Sequence, residues 1–415
     1  MINKKIVCFL FFSGFLFRLV VIFLVPQPFE FDQVQYHDFA MGILKHGIYA
    51  HTFRLFGYPM LIAAIYFITG IVSQLSRLPW QIFQAFLDTV TALLVLLIAK
   101  SIFRDNKPVF LAYIICLFNP FTPPYTGVML TEILTTFILT LICYLFLILF
   151  EKKQRYLLFT LSFLLGYLPQ VRPVFLLFSF LMMLYLTIKA TKEWIIRRKI
   201  STVIVCFLLF FLPFVYNVAG NLIFFRQFSA TTVDNVFIEN LYMSLYLEKV
   251  PRRDTSIFSL PKEVREAYNE FSFTKSKEER ILMSQKYTDL TLSGIRNQPL
   301  KFVRWRLVKL WSIWEKNSIF VYRGPDENLA QVIYFGNLSL LVLSFAGFAL
   351  WFRTIKKDGR FSFLFAGFVI FLFLYITFCH TISFADGRFS IPFYPVIYLF
   401  SGFALWKLNK IGKSH

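Results

Sequence analysis

Ten apolar runs limit what this chain can fold into. The first, Ile6–Val25, follows Lys4 and Lys5. The others lie at 80–103, 107–121, 128–150, 155–171, 173–190, 200–225, 328–352, 361–383 and 389–408. Most approach the ~20 apolar residues that cross a bilayer core as a helix. Composition agrees: 57% of the residues are hydrophobic and 16% are charged, against ~45–50% and ~25% in soluble domains. A water-soluble enzyme of this length needs far more polar surface. The 55 Phe residues also exclude a disordered chain, which lacks aromatic residues. The pattern predicts an all-α polytopic integral membrane protein.

Charge sets the topology. Pro26, Gln27, Pro28, Phe29 and Glu30 follow the first run where a cleavable signal would have small residues. The run therefore reads as a retained anchor with its N-terminus in the cytoplasm. Segment 57–75 is apolar but broken by Gly57, Pro59 and Gly70. If it does not cross, Lys100, Arg104 and Lys107 fall inside. So do Lys152, Lys153 and Arg155, then Lys189, Lys192, Arg197, Arg198 and Lys199. Arg353, Lys356, Lys357 and Arg360 follow, and last Lys407, Lys410 and Lys413. If it crosses, every cluster after it flips outward, against the positive-inside rule. Charge thus predicts a membrane-parallel or re-entrant segment at 57–75, about ten spans and both termini inside. The net charge of +20 is then mostly a topology signal and gives no reason to invoke nucleic acid.

Three regions follow: a membrane module at 1–225 with outer loops 26–79 and 119–131, an outer hydrophilic region at 226–325, and a three-helix membrane region at 326–415. Within the hydrophilic region, Leu300–Trp314 alternates basic and apolar residues. That suits a helix lying in the headgroup layer, with Phe302, Trp305 and Val308 or Lys309 sharing faces, or an aromatic belt ahead of the next span. The cysteines at 8, 116, 143, 206 and 379 sit in apolar runs without metal-ligand spacing, so no disulfide framework is expected.

With orientation fixed by charge alone, the unusual polar residues collect on the outer face. The first outer loop carries Glu30, Asp32, Tyr36, His37, Asp38, His46, His51 and Arg54. Tyr36, Phe39, Ala40, Ile43 and Leu44 recur at helical spacing, predicting an amphipathic juxtamembrane helix over 34–46. Asp32 precedes it, where a simple helix cap is the plainer role. In the second outer loop Pro120, Pro123 and Pro124 break the chain, and Glu132 enters the next apolar run. A carboxylate there costs ~2.5–3.5 kcal/mol unless it faces a polar partner. Arg172 stands between Pro169 and Pro173 at an outer span end, and arginine suits phosphate. His380, Asp386 and Arg388 mark a fourth outer site, where an Asp386–Arg388 surface pair is the plainer reading. Arg18 and Asp88 lie within spans and are expected to pair, because lone charges in hydrocarbon are costly.

These four sites, in this order, resemble the GT-C superfamily of membrane glycosyltransferases. The likeness is to the family 39-like group of protein mannosyltransferases and aminoarabinose transferases. It rests on Asp32, Tyr36, Ala40, Gly47 and Gly57-Tyr58-Pro59; on Glu132 after its proline-rich turn; on Arg172-Pro173; and on Gly387-Arg388-Phe389 with Pro392 and Pro395. Many relatives have two adjacent acids in the first loop, whereas here Gln33 follows Asp32. No Asp-x-Asp motif occurs in the second loop, which argues against an obligatory divalent metal, and no cofactor is expected. The resemblance implies a polyprenyl-phosphate sugar donor, a glycan, lipid or protein acceptor, and inverting transfer on the outer (periplasmic) face of a bacterial inner membrane. It implies Asp32 as base, Arg172 and Arg388 on the phosphate, Glu132 on the loop or on hydroxyls, and Tyr36, His37 and Arg54 at the sugar. Other readings are a transporter or flippase of lipid-linked sugars, and an O-antigen ligase or polymerase. A transporter would show repeated halves, and no repeat is present. A ligase would show a large outer loop rich in Arg and His, and 226–325 contains no His.

Overall fold

The computed structural model of the chain describes residues 3–71, 77–152, 154–191, 196–247, 259–273, 276–322, 327–355 and 360–411. Lys153, Lys192, Lys356, Lys357 and Lys413, and residues 72–75 of the ambiguous segment, lie outside these. Regular structure among the described residues is helical throughout. The first outer loop follows α1 (Lys4–Leu24) and contains α2 (Asp32–His46) and α3 (Gly57–Thr69). Then come α4 (Leu78–Ile102), α5 (Asn106–Leu117), a single turn α6 (Pro123–Thr126), α7 (Glu132–Lys152) and α8 (Arg155–Val171). A 3-10 turn at Pro173–Phe175 leads into α9 (Leu176–Thr191), followed by α10 (Ile196–Phe225).

The hydrophilic region 226–325 holds α11 (Val236–Met243), α12 (Lys262–Phe273), α13 (Lys277–Asn297) and α14 (Pro299–Ser312). The chain ends with α15 (Glu327–Thr354), α16 (Arg360–Ile382), a 3-10 turn at Gly387–Phe393, and α17 (Tyr394–Ile411).

Eight of these helical stretches are long and apolar enough to cross a bilayer. Two of the ten expected spans are shorter: α5 has 12 residues and α8 has 17. Both are packed inside the bundle, α5 against α17 and α8 against α10. Helix α3 has only 13 residues and stops at Gly70, whose φ of 67° is left-handed. At 1.5 Å per residue it reaches ~20 Å, short of a ~30 Å hydrocarbon core. The apolar face of α2 (Tyr36, Phe39, Ala40 and Ile43) is buried and packs on α3. Protein covers the face that periodicity alone would have left to lipid.

One continuous core runs from Tyr36 to Trp406, so the last helices pack into the first half of the chain. Within it Arg18 and Asp88 meet as expected, with Nε 2.7 Å from Oδ2 and both side chains buried. Arg18 also donates to the Gly14 and Leu117 carbonyls at 2.9 and 2.8 Å, and Thr122 donates to Asp88 at 2.8 Å. The pair thereby ties α1 to α4 and to the turn leading into α6. Its charges are compensated internally, as a buried pair requires.

The hydrophilic region has its own small core of Ile238, Tyr242, Met243, Val264, Ala267 and Tyr287. Helix α14 exposes Leu300, Val303, Leu307 and Trp311, one stripe at helical spacing. The expected shared face of Phe302 and Trp305 is instead half-buried. Lys309 is buried and donates to the carbonyls of Ser244 and Ser383 at 3.2 and 3.0 Å. After α14 the segment 313–322 returns to the bundle. Trp314 Nε1 donates to Thr377, and the Trp314 carbonyl accepts from Asn337. All five cysteines are free thiols.

Candidate active site

Local backbone geometry delivers each charge. Phe31, ahead of α2, has φ 52°, a region costly for a bulky residue. This turn makes Asp32 the first residue of α2, while the N-cap position belongs to Phe31, which makes no side-chain capping bond. Asp32 thus stands in the first turn of α2, one residue past the N-cap position. Glu132 opens α7 and is buried. Proline restricts the residue before it to extended backbone. Arg172, before Pro173, accordingly leaves α8 at φ −144°, ψ 101°. Asp386 caps the turn that carries Arg388, with Oδ1 accepting the Arg388 N–H at 2.9 Å.

These four pieces converge. Arg54 Nη2 lies 2.6 Å from Asp32 Oδ1, and Arg388 Nη1 lies 3.6 Å from Asp32 Oδ2. Arg388 Nε is 4.0 Å from Glu132 Oε1 and 3.5 Å from Asp386 Oδ2. Arg172 Nη1 is 3.8 Å from the same Glu132 oxygen. Carboxylates and guanidiniums therefore alternate from Arg54 through Asp32, Arg388 and Glu132 to Arg172. Phe389 lies under both later arginines, 5.0 Å from Arg172 and 5.4 Å from Arg388, and the His380 ring stacks on it at 4.5 Å.

Several atoms here are buried without a hydrogen bond among the described residues: Glu132 Oε2, Arg172 Nη1, Arg388 Nε and His380 Nε2. An unsatisfied buried polar group costs ~1–3 kcal/mol, more if charged. Four around one cluster mark a place suited to a polar, charged ligand. Among the described residues, no three His, Cys, Asp or Glu side chains come together as a metal site.

Other expected residues take different places. Arg54 also donates to Gln35 at 3.0 and 2.8 Å and lies 5.0 Å over the Tyr36 ring. Its guanidinium is thus occupied in clamping Asp32. Tyr36 is buried beside the cluster, edge-on to Tyr58 at 5.1 Å. His37 does not join: its Nδ1 meets the Tyr66 hydroxyl at 2.9 Å, under α3. His51 packs on Phe39 and Phe53, and burial, with Arg54 nearby, lowers its pKa to about 4.

Three residues lacked a sequence signal. Gln33, fully buried, donates to the Pro28 carbonyl at 2.8 Å and accepts the Met129 N–H at 2.9 Å. It ties the Asp32 loop to the Glu132 loop, and a carboxylate there would lose the first bond. Gln27 donates to the Pro124 carbonyl and accepts from Val321 and Tyr322 N–H, joining both loops to segment 313–322. Lys316, on that segment, is buried and donates to Ser390 Oγ at 3.1 Å. Its approach needs Gly387, where an added Cβ would lie 2.6 Å from the Glu315 carbonyl. One basic residue in a hydrophilic stretch looks like any other until the chain is folded.

Comparison with known proteins gives one family match and a set of solved structures of similar fold. Residues 56–217 match the dolichyl-phosphate-mannose-protein mannosyltransferase family. No curated protein matches the chain. Among solved structures, the apo oligosaccharyltransferase of Archaeoglobus fulgidus superposes with a TM-score of 0.57 at 13% identity, covering 98% of this chain and 51% of that one. The same enzyme tethered to an acceptor peptide gives 0.56 at 14%, covering 98% and 50%. Its complex with an inhibitory peptide and a dolichol-phosphate gives 0.54 at 16%, covering 97% and 50%. The chain spans about half the length of these structures. The chain is thus similar in fold to the archaeal oligosaccharyltransferase, and its residues 56–217 match the dolichyl-phosphate-mannose-protein mannosyltransferase family.

Proposed function

We propose that this integral membrane protein transfers a sugar from a polyprenyl-phosphate donor to a glycan, lipid or protein acceptor, on the outer face of a bacterial inner membrane. The observation that carries this reading is the cluster itself. Two acids, Asp32 and Glu132, interleave with Arg172 and Arg388, and Glu132, Arg172 and Arg388 each keep a buried polar atom without a hydrogen bond among the described residues. The archaeal oligosaccharyltransferase, solved in complex with an inhibitory peptide and a dolichol-phosphate, supports a lipid phosphate as the donor class.

In this reading Asp32 is the base. Arg54 holds Oδ1, which turns Oδ2 toward the reacting groups. As the acceptor oxygen attacks the anomeric carbon, its proton passes to Asp32. The carbon–oxygen bond to phosphate breaks, and its electron pair stays on the phosphate. Arg172 and Arg388 meet that growing charge, with Glu132 and Phe389 fixing their planes. Attack opposite the leaving phosphate inverts the anomeric centre. Positive charge comes from guanidiniums, so the reading needs no divalent metal. The direct test is turnover of polyprenyl-phosphate sugars by the purified protein, with mass detection of the released lipid phosphate.

A further inference from the structure

Lys316 is the cation of the cluster whose charge is not fixed. It is only 4% exposed. Its Nζ donates to Ser390 Oγ and lies 5.1 Å over the Tyr394 ring. Among the described residues no carboxylate comes within ion-pair distance of it. The charged groups that face it are Asp386 from the turn before α17, Glu132 from α7 and Arg172 from the end of α8, with Glu315 next to it in the chain. Burial lowers its pKa to about 7, opposed by Asp386 and Glu132 and reinforced by Arg172.

The charge balance makes that proton consequential. Arg54, Arg172 and Arg388 face Asp32, Glu132 and Asp386, three charges of each sign. With Lys316 neutral the cluster is balanced. With Lys316 protonated it carries one net positive charge, matching the single negative charge of a phosphodiester. An ammonium buried without an anion is costly, and an anion beside it restores the charged form.

We infer that Lys316 is the proton-exchanging member of the donor site: it meets the donor phosphodiester as an ammonium, taking that proton from solvent as the donor binds. The inference rests on the reading of the cluster as a phosphate site. It also gives segment 313–322 a role, because Gln27 and Trp314 hold that segment on the bundle, and the outer region thereby supplies a donor-binding side chain.

The test is calorimetric titration of the full-length protein in nanodiscs with a short polyprenyl methyl phosphodiester, whose charge does not change between pH 6 and 9. Running it in buffers of different ionisation enthalpy counts the protons. With a pKa of about 7, the wild type should take up about 0.7 proton on binding at pH 7.5 and about 0.1 at pH 6. Lys316→Arg, permanently charged, should bind with less of that uptake by the Lys316 share. Lys316→Met should bind about tenfold or more weakly at pH 6 and lose most of the difference between pH 6 and pH 8. Glu239, held near 7 by burial and Asp234, contributes equally to wild type and Lys316→Arg, so it cancels in the comparison. Equal uptake by those two proteins, or none in the wild type, overturns the inference. Unchanged diester affinity in Arg172→Ala and Arg388→Ala instead overturns the phosphate reading beneath it.

Discussion

Arg388 Nη1 lies 3.6 Å from Asp32 Oδ2, although the two residues stand near opposite ends of the chain. The same guanidinium reaches Glu132 and Asp386. The last membrane turn therefore completes a site begun in the first outer loop.

Asp32→Asn should abolish transfer while keeping donor binding. Removing a positioned base costs about 10²–10⁴ in rate. Asparagine keeps the size of the side chain and can still accept from Arg54, so α2 should survive the change. Transfer rate and phosphodiester affinity, measured on the same preparation, check this; full activity removes Asp32 from the base role.

Arg172→Ala and Arg388→Ala should differ in kind. Each loses charge-assisted contacts worth about 1.5–3 kcal/mol, or about 10- to 100-fold in affinity. Arg172 touches Glu132 and not Asp32 among the cluster acids, so its loss should weaken donor binding more than it slows the chemistry. Arg388 also touches Asp32, so its loss should lower kcat as well. Steady-state kinetics separates the two.

Arg18 and Asp88 are a structural pair. Arg18→Ala should destabilise the protein by about 3–5 kcal/mol, because it strands a buried carboxylate. Arg18→Met with Asp88→Leu should recover much of that. Unfolding in detergent measures both, and neither should change the pH dependence of transfer.

His51 predicts an acid-side loss of stability. Its folded pKa of about 4 lies below the unfolded value near 6.5. The folded state therefore binds fewer protons, and its contribution is complete above about 6.5 and lost as pH falls toward 4. His51→Phe, which keeps the stack on Phe39, should flatten the unfolding profile across that window.

Chelation should leave the rate unchanged. Turnover lost in EDTA and restored by a divalent cation would show that the guanidiniums do not suffice.

Asp32, Glu132, Arg172 and Arg388 were legible in the sequence because a charge at an apolar boundary is expensive and needs a reason. Arg18 and Asp88 could be paired by the same argument, and the placement of the basic clusters set 57–75 apart from the spans, where α3 has 13 residues. Lys316, Gln33 and Gln27 were not legible, because polar residues in hydrophilic stretches carry no such cost. His37 misled for a different reason. Its place on α2 is polar by periodicity, but α3 covers that face with Tyr66, a tertiary contact that α2 alone cannot reveal. The apolar stripe of α14 slipped from Phe302 and Trp305 to Leu300, Val303, Leu307 and Trp311 because Lys309 turns inward to two carbonyls.

Purified wild-type protein and Asp32→Asn are reconstituted with a panel of polyprenyl-phosphate hexoses and pentoses and a membrane extract as acceptor source, and released polyprenyl phosphate is followed by mass. The account predicts release by the wild type with at least one donor, with the sugar recovered on an acceptor in inverted configuration, and none by Asp32→Asn. Movement of an intact lipid-linked sugar across the bilayer without cleavage, or release by both proteins alike, would contradict it.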